Sequence, residues 1–192
     1  MTTTSGKFWV AMACVGLAAC GTTGERRAET GRGGVEVTRF HLGDVIAKGE
    51  VVLEPRFADP VSPVSNYGSD AMAVSRELQR LGFTTGDRPG SEFIATVDVA
   101  AGTPLALQAR APARGEAAPT TPVTSAMAAG QATQSQLAVQ IKRRSDGSII
   151  WEGRSRMPHR AGQPVTPAQV GRLAGALFRD FPGPSGETIR VR

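Results

Sequence analysis

The sequence predicts an α+β domain: a mostly antiparallel sheet with two helices packed on one face. Three observations carry that expectation. Short segments that alternate apolar and polar residues recur along the chain. Two amphipathic stretches bounded by helix punctuation lie between them. An Asp-Gly pair, Asp146-Gly147, joins two alternating segments as a hairpin turn, where glycine accepts positive φ.

Val35 to Phe40 alternates as a half-buried strand, and Glu50 to Pro55 is a second strand closed by its proline. Asp59 to Gly68, rich in Pro, Ser, Asn and Gly, is a loop. Ala71, Val74, Leu78 and Leu81 recur at helical spacing, which predicts a helix from about Asn66 to Leu81 with Gly82 as its left-handed C-cap. Glu92 to Val99 is the next strand. The hairpin runs from Ser135 to Arg144 and back from Ser148 to Met157. On its returning strand Ile149, Trp151, Gly153 and Ser155 share one face. The last helix has the strongest signals. Thr166 and Gln169 form a Thr-x-x-Gln capping box, Pro167 suits the first helical position, and Val170, Leu173, Leu177 and Phe181 make the apolar stripe. Glu187 to Arg192 closes the domain as a strand.

The element order is therefore ββαβ-ββαβ, in a single domain over residues 35–192. Residues 100–134 are poor in large apolar side chains and interrupted by Pro104, Pro112, Pro119 and Pro122. They read as a long low-complexity loop.

The first twenty residues carry a different message. Lys7 precedes a ten-residue apolar run, Phe8 to Leu17, and the small residues Ala18 and Ala19 lead to Cys20. That is the layout of an export signal. The run is too short for the roughly 20 residues of a membrane-spanning helix. Leu17-Ala18-Ala19-Cys20 resembles the lipobox of bacterial lipoproteins. The resemblance implies cleavage before Cys20, a diacylglycerol on its sulfur and usually an acyl group on the new amine. Residues 1–19 would then be the signal peptide, and residues 20–34, with no aliphatic side chain larger than that of Ala28 from Gly21 to Gly34, a flexible tether. Gly21, in place of an aspartate, favours the outer membrane facing the periplasm by the same resemblance. Cys14 and Cys20 are the chain's two cysteines, so the mature protein would hold neither a disulfide nor a free thiol.

RFHLG at Arg39 to Gly43, SRELQRLGF at Ser75 to Phe83, and QLAVQIKRRSDGSIIWEGR at Gln136 to Arg154 accompany the lipobox. Together they resemble uncharacterised Gram-negative lipoproteins that carry a domain of unknown function. The resemblance implies a compact α+β domain facing the periplasm and supplies no catalytic residues.

Without residues 1–19 the chain has 21 basic against 17 acidic side chains, a net +4. Charge this mild, with aromatics at 5%, does not read as a nucleic-acid module. His41, beside Asp44, and His159 fall short of the three or four ligands a metal site needs. No Gly-x-Ser-x-Gly elbow or His-Glu-x-x-His helix is present, so neither an enzyme nor a cofactor is expected. One basic constellation stands out. Lys142, Arg144, Arg154 and Arg156 should share the exposed outer face of the sheet, opposite Ile141 and Trp151, with Arg160 extending the patch. Aligned guanidinium groups suit phosphate or carboxylate on an anionic envelope polymer or a lipid headgroup. The expected partners are the membrane, through lipid on Cys20, and such a polymer, headgroup or an envelope protein. The alternative role is an accessory lipoprotein of an ABC-type lipid transport system, which would need an apolar groove between sheet and helices.

Overall fold

The computed structural model of the protein describes residues 34–43, 45–56, 67–110 and 132–192. Its strands are β1 (Val35–His41), β2 (Glu50–Pro55), β3 (Thr84–Thr85), β4 (Phe93–Gly102), β5 (Gln134–Arg143), β6 (Ile149–Pro158) and β7 (Thr188–Val191). Its helices are α1 (Tyr67–Arg80), α2 (Pro104–Ala109) and α3 (Pro167–Leu177). Among the described residues the strands form one seven-stranded sheet in the order β3-β2-β4-β5-β6-β1-β7. Every pairing is antiparallel except those of β2 with β3 and with β4. Parallel neighbours need a crossover, and α1 supplies the one between β2 and β4. The α+β class and the mostly antiparallel sheet are as the sequence predicts.

α1 and α3 pack against one another and cover the same face of the sheet. Val37, Val51, Ala95, Val97, Leu137, Val139, Ile141 and Trp151 point from the strands into this layer. Val74 and Leu78 of α1 and Val170, Leu173 and Leu177 of α3 meet them. α1 ends as its sequence requires: Gly82 adopts φ +91°, Phe83 N donates to Leu78 O at 3.0 Å and Gly82 N to Gln79 O at 2.9 Å. These are the two bonds of a Schellman cap. At the start of α3, Gln169 N donates to Thr166 Oγ1 at 3.3 Å and Thr166 N to Gln169 Oε1 at 2.9 Å, completing the capping box.

The C-terminal end of α3 is closed from outside the helix. Arg39 projects from β1 into the core and is 1% exposed. Its Nε donates to Leu177 O at 2.8 Å, and its Nη2 to Ala176 O at 3.1 Å and Arg179 O at 2.8 Å. Three carbonyls that no helical N–H reaches are thus bonded to one guanidinium. Burial pushes the guanidinium pKa down, and the Asp180 carboxylate opposes that shift.

The hairpin tip holds Asp146 by short local bonds. Gly147 adopts φ +69°, and Asp146 Oδ1 accepts from Ser148 Oγ at 2.7 Å and Ser148 N at 2.9 Å. These bonds, Ser148 Oγ first, then its backbone N–H, then Arg143, hold the Asp146 carboxyl down at about 2 against an ordinary 3.8. A carboxyl depressed by folding adds stability that is fully present above pH 3.8 and is lost as pH falls through about 2. Asp146→Asn should therefore be less stable than the wild type at neutral pH, with the deficit closing in acid. Urea midpoints along a pH series check this, and a deficit that stays constant would contradict it.

Four details depart from the sequence reading. β4 continues to Gly102, α2 follows at once, and β5 already begins at Gln134, so the 100–134 loop is shorter than expected at both ends. Residues 111–131 of that loop lie outside the described residues. β3 and α2 add two elements to the expected order. A bulge between Ile141 and Lys142 skips one residue of β6, so Ile150 is buried in the core while Ile149 is 41% exposed. An extra residue in one strand flips the side chains beyond it.

Candidate functional site

Strand register fixes which residues look away from the helices. Three rows cross the outer face: Thr96, Gln140, Glu152 and Phe40; Asp98, Ala138, Arg154 and Thr38; Ala100, Gln136, Arg156 and Glu36. This face was expected to be exposed. Instead Gln136, Ala138, Gln140, Glu152 and Asp98 on it are all buried. Part of the cover is α2. Thr103, with its Oγ1 accepting from Ala106 N, caps this helix and Pro104 starts it. Ala106 and Leu107 then lie against Gly102, an outer-face position of β4. Leu107 is 1% exposed yet stands apart from the main core, as Ala138 does.

The five basic residues chosen from the sequence do not form one patch. Arg154 and Arg156 are neighbours on β6. Arg154 pairs with Glu152, whose side chain is buried, and Arg156 Nε donates to Gln136 Oε1 at 2.8 Å. Burial is the first cause lowering the Arg156 pKa, followed by the nearby Arg154 charge, with Glu36 opposing both. Lys142 shares the face but lies opposite Ile94, about 13 Å along β5 from the Arg154 row at 3.3 Å per residue. Arg144 lies past the strand end. Its Nε donates to Ser91 O at 2.8 Å and its Nη2 to Ser91 Oγ at 3.2 Å, so it ties the hairpin tip to the start of β4. Arg160 is exposed in the turn after β6. Alternation placed Lys142, Arg154 and Arg156 on the right side of the sheet and missed what covers that face.

The structure adds two members that sequence reasoning passed over. Arg110, just after α2, pairs with Asp98 at 3.0 Å across the outer face. Arg56, just after β2, has its pKa lowered chiefly by burial, with Asp98 and Glu152 opposing. The signal that could have found Arg110 is Thr103-Pro104, an N-cap followed by a first-turn proline. The outer face is thus a network of guanidinium, carboxylate and amide groups with its charges largely compensated. Thr96 Oγ1, Asp98 Oδ2 and Arg154 Nε are buried in it without a hydrogen-bond partner among the described residues. Such atoms are where water or a polar ligand group gains most.

Neither histidine is free. His41 sets its two ring nitrogens against the carbonyls of Gly43 and Gly183, and His159 Nε2 meets Gln163 O at 2.8 Å. Asp44, the acid expected to assist His41, lies outside the described residues. Among the described residues no group of three or more His, Cys, Asp or Glu could hold a metal ion. No described helix is long and apolar enough to cross a membrane. Cys20, with the signal and the tether up to residue 33, lies outside the described residues.

The chain matches no protein-family model. It is 25% identical over 214 residues to the uncharacterized protein ZMO1243 of Zymomonas mobilis subsp. mobilis, covering 82% of this chain and 80% of that protein. Among solved structures, a PDZ domain protein of Parabacteroides distasonis superposes with TM-score 0.53 at 13% identity over 82% of this chain. The chain spans 39% of that protein's length, and the likeness is one of fold. The PelC dodecamer from Paraburkholderia phytofirmans gives TM-score 0.39 at 12% identity, over 75% of this chain and 98% of its own.

Proposed function

We propose that the protein is a lipid-anchored lipoprotein of the cell envelope. It is held by acyl chains on Cys20 and presents a non-catalytic binding or structural domain to the periplasm from the outer membrane. The observation that carries this reading is the position of Cys20. It stands where the export signal ends, behind Leu17-Ala18-Ala19, as the sole cysteine of the mature chain. Two or more acyl chains, at about 0.8 kcal/mol for each buried methylene, anchor stably.

The space between sheet and helices is filled by Trp151, Phe178, Leu173 and Leu177, all buried. A filled core supports a binding or structural role over carriage of lipid for an ABC-type transporter. The outer face, with Arg154 and Arg156 beside Glu152, is suited to polar contacts with an envelope protein or anionic polymer. The test is labelled palmitate fed to cells. The wild type should take up label and fractionate with membranes, and Cys20→Ala should lose both. A wild-type chain that stays unlabelled removes the proposal.

A further inference from the structure

We infer that the groove between α3 and the β1–β7 edge is a docking surface for the anionic lipid phosphates of the membrane that carries the anchor. This rests on the anchor reading above.

The groove holds about 500 Å³ and is lined by Gly34, Val35, Arg172, Gly175, Ala176, Arg179, Val191 and Arg192. Three lining residues are arginines and none is an acid. Arg172, Gly175 and Ala176, spaced three and one apart, form a stripe on α3, and Arg179, just past the helix end, also lines the groove. Two guanidinium groups therefore flank a stretch almost without side chains, and Arg192 faces them from the sheet edge.

These arginines are exposed and barely engaged. Arg179 Nη1 donates to the main-chain oxygen of Arg192 at 3.3 Å, and among the described residues the Arg172 and Arg192 guanidinium groups have no ion pair. Of the nearby acids, Glu77 pairs with Arg80 at 2.8 Å and Glu36 with Arg190, while Asp180, next to Arg179 in sequence, acts on the buried Arg39. The contrast with the outer sheet face is direct, because there every arginine sits beside a carboxylate or amide. An open arginine cluster whose lining holds no acidic side chain is the one that gains from a phosphate.

Chain continuity identifies the occupant. Gly34 lines the groove and is fourteen residues from Cys20. Those residues span at most about 50 Å when fully extended. The groove therefore opens on the face from which the anchoring segment leaves the domain. The surface held nearest to it is the bilayer itself. A basic side chain close to an anionic surface contributes about fivefold in partition.

The experiment uses the full chain purified from membranes and reconstituted into vesicles of phosphatidylcholine, with or without phosphatidylglycerol. A fluorophore is placed at Gly171→Cys, next to Arg172 on α3, where an added side chain meets nothing within 4 Å. A quencher attached to lipid headgroups should dim the label when phosphatidylglycerol is present and far less without it. The double variant Arg172→Gln with Arg192→Gln, which removes two unpaired surface groups, should lower the membrane-facing population on the order of 25-fold. Vesicle flotation is read in the same samples. Floating protein whose quenching ignores phosphatidylglycerol or the two arginines overturns the docking surface and leaves the anchor intact. A chain that does not float removes the anchor and this inference with it.

Discussion

Arg39→Met is expected to destabilise the domain by about 3–5 kcal/mol, since each buried polar acceptor left stranded costs roughly 1–3 kcal/mol. Methionine can fill much of the volume but donates no hydrogen bond. The carbonyls of Ala176, Leu177 and Arg179 then lose the guanidinium that bonds all three. Those of Ala176 and Leu177 cannot turn to the helix, because they are among its last acceptors, and that of Arg179 lies past its end. Gly183 makes the arrangement more exacting. At φ +74° it passes so close that a Cβ there would overlap the Arg39 guanidinium, leaving no room for a rearranged side chain. Lysine at position 39 should recover part of the loss, because one ammonium cannot match a fork of three bonds. Urea unfolding of the variants measures this. A Met variant within about 1 kcal/mol of wild type would mean that water satisfies the helix end instead.

Trp151→Ala should cost about as much, 3–5 kcal/mol, through lost burial and the cavity left behind. The indole is fully buried and stacks on Phe178 at 5.3 Å between ring centroids, with Phe181 also at 5.3 Å. Its Nε1 donates to Pro182 O at 3.2 Å. The ring therefore ties the central hairpin to both α3 and the turn after it. Gly153, two residues on, gives the indole room to lie flat: a Cβ there would overlap the Trp151 ring and come within 2.8 Å of Leu177 Cδ1. With residues 1–19 removed, Trp151 is the sole tryptophan, so its fluorescence reports this packing without interference. Trp151→Phe should retain more stability than the alanine variant, as measured by denaturant midpoints. Equal losses from Phe and Ala would show that the cavity is not the source.

The legible parts of the fold were those where one residue type answers one local need. Gly82 supplies the positive φ at the end of α1, Thr166 and Gln169 bond the start of α3, and Asp146-Gly147 turns the hairpin. The strands could be seen wherever one face is apolar. The reading failed where a polar side chain points inward. In β1, alternation is broken at Arg39, which shares the core face with Val35 and Val37, while Phe40 turns to the outer face. Hydrophobicity alone cannot show that three helix-end carbonyls await a guanidinium there.

The candidate site was legible to the same degree. Parity along β5 and β6 correctly put Arg154 and Arg156 on one face. It could not show that Leu107 and Arg110 fold back over that face, because α2 is six residues long with few large apolar side chains. Nor could it foresee Arg144 turning to Ser91, a bond between residues 53 positions apart. The α3 groove escaped because its arginines are distant in sequence: Arg172 is on the helix, Arg179 lies just past its end, and Arg192 follows β7.

An engaged, largely charge-compensated sheet face thus lies on one side of the domain, and exposed arginines lie beside Gly34, where the chain enters β1. That arrangement has its proposed purpose only if the chain is held by Cys20. Mass spectrometry of the mature protein's N-terminal peptide measures this most directly. The account predicts a peptide that begins at Cys20 and carries diacylglycerol on its sulfur, commonly with a further acyl group on the amine. A mature chain beginning at any other residue, or at Cys20 with an unmodified thiol, would contradict it.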